Sequence, residues 1–189
     1  MTSADTTLRA ALIAMTLGLL SGCKSPPRES VHLVAVGARD RVPSVLGPCR
    51  TADARPSAPV QFSLTGDIYE AMSKGRVRIP CEQGVVVLDV RRPTRLDIDS
   101  SRVAKRGDML AMQVRVFDEE NTRLTIGAAP VSWSFTGALA PRQAPVCDDG
   151  EEACPLRNVG LARAYDDGAS EVVARFGPLS ARIVVNVLP

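Results

Sequence analysis

A single histidine in 189 residues leaves little room for imidazole chemistry. A hydrolytic triad or a zinc site needs several partners of matched type, and His32 stands far from the Cys147 region in sequence. No HExxH helix, nucleophile elbow or phosphate-cradling glycine loop occurs in the chain. Charge of one sign is lacking too: the formal net charge is +2, far from the concentrated positive patch of a nucleic-acid binder. Aromatic residues are scarce at 4%, whereas valine, alanine, glycine and proline abound, which suits short strands and turns better than helices. Together these absences predict a protein that is not an enzyme, takes no cofactor or metal, and binds no nucleic acid.

What is present begins at the N-terminus. Residues 1–9 hold one basic and one acidic side chain, and from Ala10 to Gly22 there is no charge at all. That is the layout of a secretory signal, too short to span a bilayer, which takes about 20 apolar residues. No later segment is long and apolar enough for a second span. Directly after the run, Leu20-Ser21-Gly22-Cys23 resembles the lipobox of bacterial lipoproteins. The resemblance implies cleavage between Gly22 and Cys23, a diacylglycerol on the Cys23 thiol, and attachment to a membrane. Each buried methylene contributes about 0.8 kcal/mol, and two or more chains hold a protein lastingly. Lys24 stands where an aspartate would retain a Gram-negative lipoprotein at the inner membrane, so the resemblance favours the outer membrane.

Once residues 1–22 are removed, the chain suffices for one ordinary domain or two small ones. Besides Cys23 there remain Cys49, Cys81, Cys147 and Cys154, an even number that suits an oxidising compartment. Three pairings are possible. Cys49–Cys81 and Cys147–Cys154 are favoured, because each then lies within one proposed domain; the chain-entropy model gives them about 3.7 and 2.5 kcal/mol before strain.

From about Thr94 onward the pattern is that of half-buried strands. Leu110, Met112, Val114 and Val116 alternate with Ala111, Gln113, Arg115 and Phe117, and Val131, Trp133 and Phe135 share a face, with Trp133 read as core packing rather than a recognition residue. Residues 170–176 and 181–187 form two further strands about the turn at Gly177-Pro178. Leu96-Asp-Ile98, Gly107-Asp108, Ala129-Pro-Val-Ser-Trp133, Gly160-Leu-Ala-Arg-Ala164, Val172-Val-Ala174 and Ile183-Val-Val-Asn-Val187 resemble, in order and spacing, the bacterial Ig-like (Big) domains. The resemblance implies an immunoglobulin-like β-sandwich over residues 94–189. It departs between Thr136 and Arg157, where a Pro-rich insert carries Cys147-Asp-Asp-Gly-Glu-Glu-Ala-Cys154. A disulfide-pinched surface loop explains that insert. Calcium binding by Asp148, Asp149, Glu151 and Glu152 is the sharper reading, but their spacing is not that of an EF-hand. Asp166-Asp167-Gly168 likewise reads as a turn.

The remaining organisation is a lipidated cysteine and tether over 23–30 and a small β-domain, possibly reduced Ig-like, over 31–91. In that domain Ala58-Pro-Val-Gln-Phe-Ser63 echoes Ala129-Pro-Val-Ser-Trp-Ser134. Ile68–Met72 is assigned one helical turn, and Arg91-Arg-Pro93 is the joint between the domains. The fold expectation is all-β. The functional expectation is a non-enzymatic, lipid-anchored envelope or surface protein whose modules bind an envelope protein or glycan, mediate adhesion, or act as spacers. The alternative is an accessory lipoprotein of a larger secretion or motility complex. Non-reducing peptide mapping of the mature protein should link Cys147 to Cys154; a bridge from either to Cys49 or Cys81 would undo the domain partition.

Overall fold

The computed structural model describes residues 27–54, 59–142 and 158–189. The lipobox with Cys23, and the insert with Cys147, Cys154 and the four candidate calcium carboxylates, lie outside the described residues. Within them strands predominate and no α-helix occurs, with a short 3₁₀ turn at Thr51–Asp53. The expected all-β class is observed.

The C-terminal part is built from β6 (Arg95–Asp99), β7 (Val103–Lys105), β8 (Met109–Phe117), β9 (Arg123–Gly127), β10 (Ser132–Phe135), β11 (Leu139–Arg142), β12 (Gly160–Ala164), β13 (Gly168–Phe176) and β14 (Leu179–Leu188). Strands β6, β8, β12 and β11 pair in that order and face a second sheet ordered β10-β13-β14-β7. This is the ABED-against-CFG arrangement of an immunoglobulin-like sandwich, with β7 added in parallel along the edge of the last strand. The alternation in β8 is strict: Leu110, Met112, Val114 and Val116 are buried and their neighbours through Arg115 are exposed. They meet Val172, Ala174, Ile183, Val185 and Val187 from the opposite sheet in one core. The expected loop insert after Thr136 begins instead with β11, whose Pro141 is tolerated because β11 is an edge strand.

The N-terminal part comprises β1 (Arg28–Arg41), β2 (Val60–Phe62), β3 (Ile68–Ala71), β4 (Gly75–Cys81) and β5 (Gly84–Arg91), all in the same ten-stranded sheet as β8. Two expectations change here. Residues 28–30, assigned to the tether, already belong to β1, and Ile68–Ala71 is a strand because it pairs on one side with β1 and on the other with β2. Long-range pairing overrides a weak local preference.

Strand β1 joins the two parts. It pairs in parallel with β5 from Arg28 to Ala35 and in parallel with β9 from Val34 to Arg39, then antiparallel with β3. Its faces divide between two cores: Leu33 and Ala35 pack on the sandwich core, while Val34, Val36 and Ala38 pack on an N-terminal core with Ile79, Val86, Leu88 and Val90. A strand buried on both faces explains the run Leu33-Val-Ala-Val36.

Glycine permits the close contact with β9. At Gly127 the backbone has φ 56°, and a Cβ would lie 2.5 Å from that of Asp40 and nearer still to the Arg39 carbonyl oxygen. Gly177 has nearly the same φ, 55°, with nothing within 4 Å. Gly177→Ala should therefore cost only about 1 kcal/mol of left-handed backbone strain, whereas Gly127→Ala should cost roughly 3 kcal/mol or more in urea unfolding. Equal losses would show that β1 and β9 are not so tightly apposed.

Candidate functional site

Where β5 leaves the N-terminal unit, an apolar strand carries a carboxylate. Asp89 interrupts the run Val85–Val90 and lies on the face opposite Val86, Leu88 and Val90. Arg76, opposite it on β4, donates to its carboxylate at 3.1 Å, and Arg91 reaches it at 3.4 Å. Arg91 also donates to Asp118 at 2.7 Å and to Glu120 at 3.1 Å in the β8–β9 turn. The Asp118 side chain is only 4% exposed. Its second oxygen accepts the backbone N–H groups of Glu120 and Thr122, at 3.0 and 2.8 Å, which closes a turn through Asn121 at φ 63°. Arg91 thus fastens the end of the N-terminal sheet to the hairpin that supplies β9.

The electrostatics follow from this geometry. The hydrogen bond from Arg91 holds the Asp118 carboxyl below its usual range against the opposing effect of desolvation, with the two turn N–H groups adding to it. For Asp89, burial pushes upward, but the guanidiniums of Arg76 and Arg91 outweigh it and the carboxyl is lowered. Arg91 is raised in turn, chiefly by its bond to Asp118. A cleft of about 570 Å³ opens beside the cluster, lined also by Lys74, Arg92, Thr94 and Glu119. Its walls carry both signs, so it offers paired hydrogen-bonding groups rather than a site for one ion.

A second cleft, about 590 Å³, lies along the β2–β3 turn between Arg39, Arg41 and Glu70. Ser63 and Thr65 hydrogen-bond the Asp67 carboxylate, and the Thr65 hydroxyl is the main cause of its lowered pKa. Tyr69, against the cleft floor, has its hydroxyl pushed above the ordinary phenol range by burial, with Asp40 adding to it.

The residues singled out in the sequence are placed as follows. Cys49 and Cys81 form a disulfide between directly bridged strand positions, with Cα atoms 3.9 Å apart. His32 is half-buried on β1 and its Nε2 lies 3.0 Å from the Ser30 hydroxyl, two residues away on the same strand face. Trp133 packs on the sandwich core and stacks on Phe135 at 6.3 Å between ring centroids. Its indole occupies the space above Gly160, where a Cβ would lie 2.5 Å from the ring. Asp166 and Asp167 lie in the exposed turn before β13, the Asp167 N–H donating to the Asp166 carboxylate. Among the described residues no group of three histidine, cysteine or acidic side chains is gathered for a metal ion. The Arg76–Asp89–Arg91–Asp118 cluster was missed; its one sequence signal is the charge inside the apolar run at Asp89.

No family model and no curated protein matches the chain. Among solved structures it is similar to domains 4 and 5 of the S-layer protein SbsC, at 12% identity and TM-score 0.39, over 69% of this chain and 66% of that one. Domains 5–6 of SbsC give 11% identity and TM-score 0.39, over 83% of this chain and 92% of that one. A β-glycosidase from Bacteroides vulgatus gives 14% identity and TM-score 0.38, over 65% of this chain but only 19% of the enzyme. The fold assignment rests on the strand pairings above.

The lowered carboxyls fix the sign of the pH response. Each contributes stability that is fully present above the unfolded value, near 3.8, and lost as pH falls through the lower folded value. Thermal unfolding should therefore hold steady from pH 7 to about 5 and weaken below about 4. Asp118→Asn should lower the midpoint at pH 7 and flatten that acid limb, since it removes the charge paired with Arg91. An unchanged limb would show that the cluster adds nothing to the joint.

Proposed function

We propose that this protein is a bacterial envelope lipoprotein, held to a membrane through Cys23, whose β-units act without catalysis as a binding, adhesive or spacing body. One observation carries the reading. The lipobox Leu20-Ser21-Gly22-Cys23 closes an uncharged apolar run and stands five positions before Arg28, the first residue of β1. The lipid would thus be attached almost directly to the strand that both cores share. That favours a spacer or a rigid presenting surface over two modules swinging on linkers, because β1 and the Arg91–Asp118 contact tie both parts into one sheet-joined body. The outer membrane is the expected site, from Lys24 at the position after the lipidated cysteine. The faces presented would be the outer strands of the sandwich and the two clefts described above.

Cys23→Ser tests the reading. The variant should lose incorporation of labelled fatty acid, and any fraction of it cut after the apolar run should leave the membrane. Undiminished fatty-acid labelling, or a mature protein whose intact mass shows no lipid on Cys23, would overturn it.

A further inference from the structure

We propose that the end of the N-terminal unit beside the Cys49–Cys81 bridge lies on the bilayer surface, with Val45 seated among the lipid headgroups. This rests on the anchored reading above and gives it an orientation. Three segments converge at that end. Gly84, the first residue of β5, pairs with Arg28, and its backbone comes so close to the Arg28 carbonyl that only glycine fits. In the turn before it, the Gln83 N–H donates to the Leu46 carbonyl at 3.0 Å and the Glu82 N–H to the Pro48 carbonyl at 3.1 Å. The start of β1, the β4–β5 turn and the loop after β1 are therefore neighbours.

In that loop Leu46 points into the N-terminal core, and Val45 beside it is 65% exposed. Val31, three residues into β1, is 51% exposed. The exposed side chains of Arg28 and Arg50 share the region with the exposed carboxylates of Glu29 and Glu82, giving charges of both signs beside apolar groups, which suits a zwitterionic headgroup layer. Reach decides the orientation. From Cys23 to Arg28 the backbone spans at most about 17 Å even when fully extended. Strand β5 alone, with eight residues, is roughly 26 Å long. The tether is shorter than the unit it carries, so the Arg28 end stays within about 17 Å of the lipid and is the end that faces it. A single valine adds little to attachment beside several acyl chains; its effect is to set which face turns down, and the second sandwich sheet is then turned away.

The test uses the full lipidated protein in phosphatidylethanolamine–phosphatidylglycerol vesicles, with a shallow spin-labelled phospholipid as quencher. Val45→Trp places a reporter in the loop, and Val184→Trp places one on the outer face of β14, at a residue of comparable exposure. Native Trp133 is common to all and cancels against the parent protein. Quenching should exceed the parent's in the Val45 variant and match it in the Val184 variant. Equal quenching of the two reporters, or none at Val45, overturns the orientation while leaving the anchor intact, provided that intact mass shows the lipid on Cys23. A mass without lipid removes the anchored reading itself, and the orientation with it.

Discussion

Everything in this molecule hangs on the double burial of β1. A strand usually offers one face to one core; here alternate residues enter two, with Leu33 and Ala35 on one side and Val34, Val36 and Ala38 on the other. Its edges are shared as well, with β5 along one and β9 along the other. A fully buried valine is worth roughly 1.5–3 kcal/mol, whereas half-exposed ion pairs such as Arg182–Glu171 contribute about 0–1 kcal/mol. The shared strand therefore dominates over the surface charges, and the two units cannot be separated without exposing apolar surface in both.

The sandwich accommodates this by diverting one hairpin. In an immunoglobulin-like domain the second and third strands usually connect across the sandwich, but here β9 is interposed and runs out beside β1. Gly127 ends that excursion under the Arg39 carbonyl, and Asp118 begins it by clasping its own turn and Arg91. Packing brings the units together, and the ion cluster fixes their register at the joint. Trp133 shows the same reliance on packing: its ring is held against Gly160 and Phe135.

The strands of the sandwich were legible because their burial is local in pattern. Residues 109–117 alternate perfectly, and no other period fits them. The Cys49–Cys81 pairing followed from counting thiols and keeping loops within a unit. What sequence could not reveal was long-range. Nothing near Ile68–Ala71 announces that β1 and β2 will flank it, so its weak helical pattern misled. Arg91 read only as part of the short joint between the domains, because its partner Asp118 lies 27 positions away and each alone resembles ordinary surface charge. The two-faced role of β1 was hidden for the same reason: an apolar run reports burial without saying how many cores receive it.

The position of β1 in the chain has a kinetic side. It is the first of the described strands to be made, yet it cannot be completed until both β5 and β9 exist, because Val34 pairs with Val90 and Thr125 together. Contacts so distant in sequence form slowly, and apolar strands waiting for partners are prone to pair wrongly. The segment waits through most of synthesis for the strands that complete it. The feature that makes the finished protein one body thus makes its unfinished form sticky along β1.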